Sequence, residues 1–234
     1  MTSDDPSALA VPVPRHAGAH DRSCQQATLK FFYGPMDCGK STLALQMDHN
    51  HARQGRRGLL LTRLDRSGQP RISSRIGLDR RAIEVTDVLD LRDLVRGEWA
   101  RGRRVDYLIC DEAQFYSLEQ VEQLADLVDE SDVDVYAFGL ATDFRSELFP
   151  ATKRLLELAD GVYRLQVEVL CWCGRRGQLN GRVVGNRVVR EGAQVLTGDT
   201  GGDDPVRYQV LCRAHYRSGD LGPAAPTAGQ LPLG

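Results

Sequence analysis

A chain of 234 residues with a formal net charge of −2, 26% charged and 41% hydrophobic residues has the length for one full-sized domain and a small appendage. That balance excludes a disordered or fibrous chain, and the near-neutral charge gives no ground for a polyanionic partner. No apolar run approaches the roughly 20 residues that cross a bilayer, so no membrane association is expected.

The first residues are acidic where a secretory leader is basic, and Pro12 and Pro14 break the apolar stretch that follows; residues 1–28 are expected to be a flexible tail on a cytoplasmic protein. In that reducing setting the six cysteines favour metal binding over disulfides. LKFFY then reads as a strand, GPMDCGKS as a glycine loop, and STLALQMDHNHARQG as a helix ended by Gly55, with His49 and His51 on its solvated side. RGLLLTR is a second strand, DRSGQPRISSRIG a long polar loop, and AIEV a short strand. Val88, Leu91, Leu94 and Val95 recur at helical spacing behind an Asp87 cap. VDYLICDEAQF begins as a buried strand and turns acidic. SLEQVEQLADLVDE puts Leu118, Val121, Leu124, Ala125 and Val128 on one helical face, with Ser117 as N-cap and Gln120 in the capping-box position. VDVYAFGL, TKRLLELAD and GVYRL complete a strand, helix, strand run.

Continuously apolar strands alternating with helices predict an α/β fold: a P-loop, RecA-like parallel sheet with helices on both faces, over 29–165. From about residue 166 the pieces become short and β-like, and RVVGNRVV signals a hairpin turning at Gly185 and Asn186. A small C-terminal zinc-binding β module is expected over 166–217, and a second flexible tail over 218–234.

GPMDCGKS, residues 34–41, matches GxxxxGK[ST] in full. Gly34, Pro35, Met36, Asp37, Cys38, Gly39, Lys40, Ser41 and Thr42 form a candidate nucleotide cradle: backbone N–H groups and a helix N-terminus face the anion, Lys40 reaches the outer phosphates, and the Ser41 hydroxyl ligates Mg²⁺. Asp111, at the carboxyl end of a strand expected to neighbour the loop's strand, is the candidate for the metal shell. Glu112 beside it is either a general base or a simple cap of the next turn. Cys171, Cys173, Cys212 and His215 make a Cys₃His set, the composition of structural zinc, while Cys110 reads as core and Cys24 lies in the tail.

GPMDCGKST, DEAQF, LCWCG and YQVLCRAHY, in this order, resemble the zinc-containing, cytosolic-type thymidine kinases across nearly all of 29–217. The resemblance implies transfer of the γ-phosphate of ATP to the 5′-hydroxyl of thymidine, giving dTMP, with Mg²⁺ at the phosphates and structural Zn²⁺. It further implies a homotetramer inhibited by dTTP. By the same resemblance Glu112 is the general base, and Met36, Phe115, Leu140, Phe144 and Phe149 wall the base pocket. A lasso loop over 195–208 closes on the nucleoside; Val195, Leu196, Thr197 and Gly198 belong to it, and Tyr208 packs against the nucleoside.

The chain departs from the family pattern in several places. The first zinc pair is CxC, with Leu170 at the other site of the usual CxxC. Asp65 and Arg66, which correspond to sugar- and phosphate-contacting residues, are adjacent where the family shows Asp-x-Arg. Asn180 stands where relatives carry a small hydroxyl near the thymine methyl, and Cys38 replaces a serine. The Asp37 carboxylate is expected to point away from the phosphates. Two other readings are a related kinase acting on deoxyuridine or another nucleoside, and a zinc-ribbon ATPase gripping nucleic acid. Against the latter stand Asp199, Asp203 and Asp204 in the lasso and an aromatic content of 6%, so no nucleic-acid partner is expected.

Overall fold

The computed structural model describes residues 26–63, 70–74, 76–192, 194 and 206–223. In chain order it contains β1 (Leu29–Tyr33), α1 (Lys40–Arg53), β2 (Gly58–Thr62), β3 (Arg71–Ser73), β4 (Asp79–Arg81), β5 (Ile83–Glu84), α2 (Leu91–Ala100), β6 (Tyr107–Cys110), a 3-10 turn (Ala113–Phe115) and α3 (Leu118–Ser131). There follow β7 (Asp134–Gly139), α4 (Pro150–Leu158), β8 (Gly161–Arg164), β9 (Leu179–Val184), β10 (Arg187–Val189), β11 (Arg207–Leu211) and α5 (Arg213–Ser218).

The central sheet has six strands in the order β5-β2-β6-β7-β1-β8, and every pair in it is parallel. Its central strands β6 and β7 are almost wholly buried because both faces are covered, whereas the edge strands β5 and β8 are largely exposed. Leu108 and Cys110 of β6 point to the side carrying α2, α3 and α4, where they meet Leu91, Val121, Leu124 and Leu155. Tyr107 and Ile109, one residue out of step, point to the other side and meet Ala44 and Leu45 of α1. No helix among the described residues is long and apolar enough to cross a membrane.

Four sequence expectations are corrected. The polar stretch after β2 is not all loop: β3 and β4 pair antiparallel, closed by two Arg71 Nε to Asp79 contacts at 2.7 Å and anchored by the buried Ile72. Helix α2 is capped by Asp90, not Asp87. The Asp90 carboxylate accepts the N–H groups of Arg92 and Asp93 at 2.8 and 3.0 Å, while Val88 is 93% exposed. Leu118 lies on the predicted apolar face of α3 but in its first turn, beyond the edge of the core, and is 53% exposed. His51 is not a solvated residue; its ring packs against Tyr107 and Tyr136 with centroids 4.9 and 5.1 Å apart. His49 is exposed, as expected.

The C-terminal unit is a three-stranded antiparallel sheet, β10-β9-β11, followed by α5. Its hairpin turns at Gly185 and Asn186, both with positive φ (52° and 57°), the geometry that such two-residue loops require. Its core is small: Cys171, Leu211, Cys212 and Tyr216. A segment that buries so little needs a staple.

Candidate active site and metal centre

The glycine loop joins β1 to α1. A side chain on Gly34 would put its Cβ 2.4 Å from the Cys38 sulfur, and Gly39, the N-cap of α1, sits at φ 78°, so both positions call for glycine. Cys38 is fully buried and its thiol is pushed up by that burial, against the opposing pull of Lys40. Lys40 is folded back, donating from Nζ to the Pro35 carbonyl at 2.9 Å. Asp37 is exposed, at φ 66°.

Asp111 follows β6, and β7 lies between β6 and the loop's strand, so the acid is not on a neighbouring strand as the sequence suggested. The two meet because α1 packs over β7, which carries its first turn across to the end of β6: the Ser41 hydroxyl donates to Asp111 Oδ2 at 2.7 Å. Asp111 is 4% exposed. Burial first, and then the Glu112 charge, push its carboxyl up to about 6, against the Ser41 hydrogen bond that favours the ionised form. A buried carboxylate oxygen paired with a hydroxyl, both hard donors, beside a lysine is a set that fits Mg²⁺.

Glu112 adopts φ 52° and ψ 35°, the left-handed region that a residue with a Cβ rarely occupies. It stands at the N-cap position of the 3-10 turn, yet its side chain makes no capping bond. Its carboxylate instead accepts from Gln114 Nε2, and Gln114 Oε1 accepts from the Leu140 N–H at 3.0 Å, so the buried Gln114 braces Glu112 against the end of β7. The sequence reading passed over Gln114, although it lies within DEAQF.

A single cavity of about 1310 Å³ runs from this corner to an apolar wall. Its lining includes Asp37, Gly39, Lys40, Ser41, Thr42, Asp111 and Glu112 together with Met36, Phe115, Leu140, Phe144, Phe149, Asn180 and Tyr208; Cys38 borders it while buried. Gly34 is buried at the start of the loop, and Pro35 meets Lys40 through its carbonyl; neither lines the cavity. Phe115 and Phe149 meet edge to face, 5.5 Å between centroids. Asn180, contributed by β9, accepts the Met36 N–H on Oδ1 at 2.9 Å, which ties the C-terminal unit to the glycine loop. Asp65, Arg66, Val195, Leu196, Thr197 and Gly198 lie outside the described residues.

The ligand atoms of Cys171, Cys173, Cys212 and His215 all lie within 4.8 Å of one another. Zinc bonds of about 2.3 Å to sulfur and 2.0 Å to nitrogen require such a cluster, so the donor set fits Zn²⁺. Leu170 is 57% exposed, and the CxC pair completes the set without that position. Trp172, between the two cysteines, stacks on His215 at 4.3 Å and donates its indole N–H to the Asp220 carbonyl at 3.1 Å.

A family profile described as thymidine kinase matches residues 27–216. A thymidine kinase of Cutibacterium acnes is 56% identical over 196 residues, 84% of this chain and 91% of that protein. One of Streptomyces coelicolor is 56% identical over 190 residues, covering 81% and 88%. A third, of Legionella pneumophila, is 38% identical over 203 residues, covering 86% and 94%.

Proposed function

Because the chain belongs to the thymidine kinase family, and is an ATP-dependent kinase that converts thymidine to dTMP, we propose that ATP and thymidine meet in the one cavity at the corner between the glycine loop and Glu112. The observation that carries this assignment is the continuity of the cavity: phosphate-binding residues and an aromatic wall share it, with Ser41, Asp111 and Glu112 among its lining.

The phosphates of ATP take the N–H groups of the loop and the positive end of α1. Lys40 exchanges the Pro35 carbonyl for the outer phosphates. Ser41 and Asp111 would hold Mg²⁺, which neutralises charge on the transferring phosphoryl group. Glu112, braced by Gln114, accepts the 5′-hydroxyl proton of thymidine as that oxygen bonds to the γ-phosphorus and the bond to the β-phosphate oxygen breaks, releasing ADP.

Thymine lies against Met36, Phe115, Leu140, Phe144, Phe149 and Tyr208. Gln194, just before the lasso, and Tyr208, its last residue, both line the cavity, and this supports reading of the base by the lasso. Cys171, Cys173, Cys212 and His215 would hold a structural Zn²⁺, which would staple the module that carries the lasso. Feedback inhibition by dTTP is proposed as well, because one molecule carrying both the base and a triphosphate would match both halves of the cavity. A cytoplasmic homotetramer is proposed on the family resemblance alone.

Incubation of the purified protein with Mg-ATP and each natural nucleoside tests the reading. Formation of dTMP from thymidine, well above any monophosphate from deoxyuridine, is the expected result. ATP consumption that requires DNA or RNA would defeat it.

A further inference from the structure

We propose that Arg182 is a positioning residue of the base pocket, clamping Phe144 of the kinase domain and Tyr208 of the C-terminal module at a fixed separation. It rests on the assignment of these two aromatics to the thymine wall.

Arg182 lies on β9 and is 2% exposed. Its guanidinium carbon sits 3.5 Å from the centre of the Phe144 ring and 5.7 Å from that of Tyr208. Nε donates to the Tyr208 hydroxyl at 3.1 Å, and Nη2 donates to the Gln194 carbonyl at 3.1 Å. Among the described residues it forms no ion pair with a carboxylate. A buried guanidinium without a counter-charge is costly. What offsets that cost here is a set of aromatic faces and neutral oxygens.

The partners identify the role. Phe144, Tyr208 and Gln194 all line the cavity, whereas Arg182 does not; it stands behind them. Phe144 belongs to the loop after β7, and Tyr208 pairs directly across from Arg182 in the β9–β11 ladder. One flat, rigid side chain therefore joins a wall built by the kinase domain to one built by the C-terminal module. Two residues earlier on the same strand, hence on the same face, Asn180 reaches the Met36 N–H. The inward face of β9 thus sets both the loop side and the aromatic side of the pocket. Lysine cannot replace this arginine, because an ammonium neither stacks flat on Phe144 nor forks to two acceptors.

The test is steady-state kinetics of Arg182→Lys, Tyr208→Phe and the two combined, each checked for an unaltered thermal transition. Arg182→Lys is expected to raise the thymidine KM by about 5- to 30-fold while leaving the ATP KM within about twofold. Tyr208→Phe, which removes only the acceptor hydroxyl, should give part of that rise. The combined variant should be no worse than Arg182→Lys, because both changes break the same contact. Additive effects, or equal losses in both KM values, would overturn the proposal; so would an unchanged thymidine KM. Phe144→Ala and Tyr208→Ala separate the two readings. If these leave the thymidine KM unchanged, the wall assignment itself fails; if they raise it and Arg182→Lys does not, only the clamp fails. Should Arg182→Lys not fold, Tyr208→Phe decides alone: an unchanged thymidine KM in that soluble variant rejects the clamp.

Discussion

Glu112 occupies a backbone region that costs about 1 to 3 kcal/mol for a residue with a Cβ, and its surroundings hold it there. The Asp111 carboxylate accepts its N–H at 3.0 Å, and Gln114 holds its side chain. This fixes a carboxylate beside the Ser41–Asp111 pair and keeps it from capping the following turn. Glu112→Gln preserves size and leaves the fold, so ATP and thymidine should still bind while turnover falls by about 10² to 10⁴, measured by single-turnover kinetics. Near-normal turnover would refute the base assignment. At this scale the sequence was informative wherever chemistry depends on residue type at fixed local spacing, as in GPMDCGKS and DEAQF. It was silent on Gln114 and Arg182, whose roles depend on what stands opposite: the Leu140 N–H in one case and the Phe144 ring in the other. Nothing local separates Arg182 from the exposed arginines around it.

Helix ends show the same division between local and tertiary causes. The capping box of α3 was legible because Ser117 and Gln120 form it between themselves, at 3.1 Å in both directions. The start of α2 was not, because Asp87 and Asp90 are equally good caps by residue type. The choice is made by α3: Gln120 Nε2 donates to the Thr86 and Leu89 carbonyls at 2.8 and 3.0 Å, and Gln123 accepts the Leu91 N–H at 2.9 Å. Those contacts hold 86–89 out of the helix. Ser117→Ala should therefore cost about 1 kcal/mol in urea unfolding, the ordinary loss of a cap. Gln120→Ala should cost more, because it also strips the partner from two carbonyls. At the far end of α1, His51 is held below its ordinary value of 6.5 by burial and by the Arg56 guanidinium, whose Nη1 lies 3.2 Å from its Nδ1. A depressed value means that the folded state resists protonation. The stability His51 contributes is present above about pH 6.5 and is lost as the pH falls below it. His51→Gln should flatten the decline of the melting temperature between about pH 7.5 and 5.5, read by calorimetry. An unchanged slope would show that the decline lies elsewhere.

Across the whole molecule, the described residues join the two units through the Arg182 stack on Phe144 and through three hydrogen bonds: Asn180 to Met36, Tyr216 to the Phe144 carbonyl at 2.6 Å, and Gln194 to Asp143 at 3.2 Å. Each runs from the C-terminal unit to the cavity side of the kinase domain. Removal of zinc with a strong chelator should therefore abolish thymidine binding while an ATP analogue still binds to the glycine loop. The Trp172 emission, sensitive to its stack on His215, should change in step with metal loss. Folded, active protein free of zinc would contradict this. The second, three-stranded sheet was readable from the change in texture near residue 166 and from the four candidate metal ligands. How the two units join was not, since it rests on side chains far apart in sequence.

The position of β1 bears on the making of the protein as well as on its activity. This strand leads into the phosphate loop and leaves the ribosome before β7 and β8, yet it is inserted between them. Thr28, just before it, and Leu29, its first residue, donate their N–H groups to Asp134 and Asp160, at sequence separations of 106 and 131. A nascent chain that has not yet reached β8 thus carries LKFFY without its second neighbour, as an apolar segment open to chaperones and to aggregation. Ligand competence arrives late in synthesis: truncations ending before Gly161 should not bind ATP, however intact their GPMDCGKS.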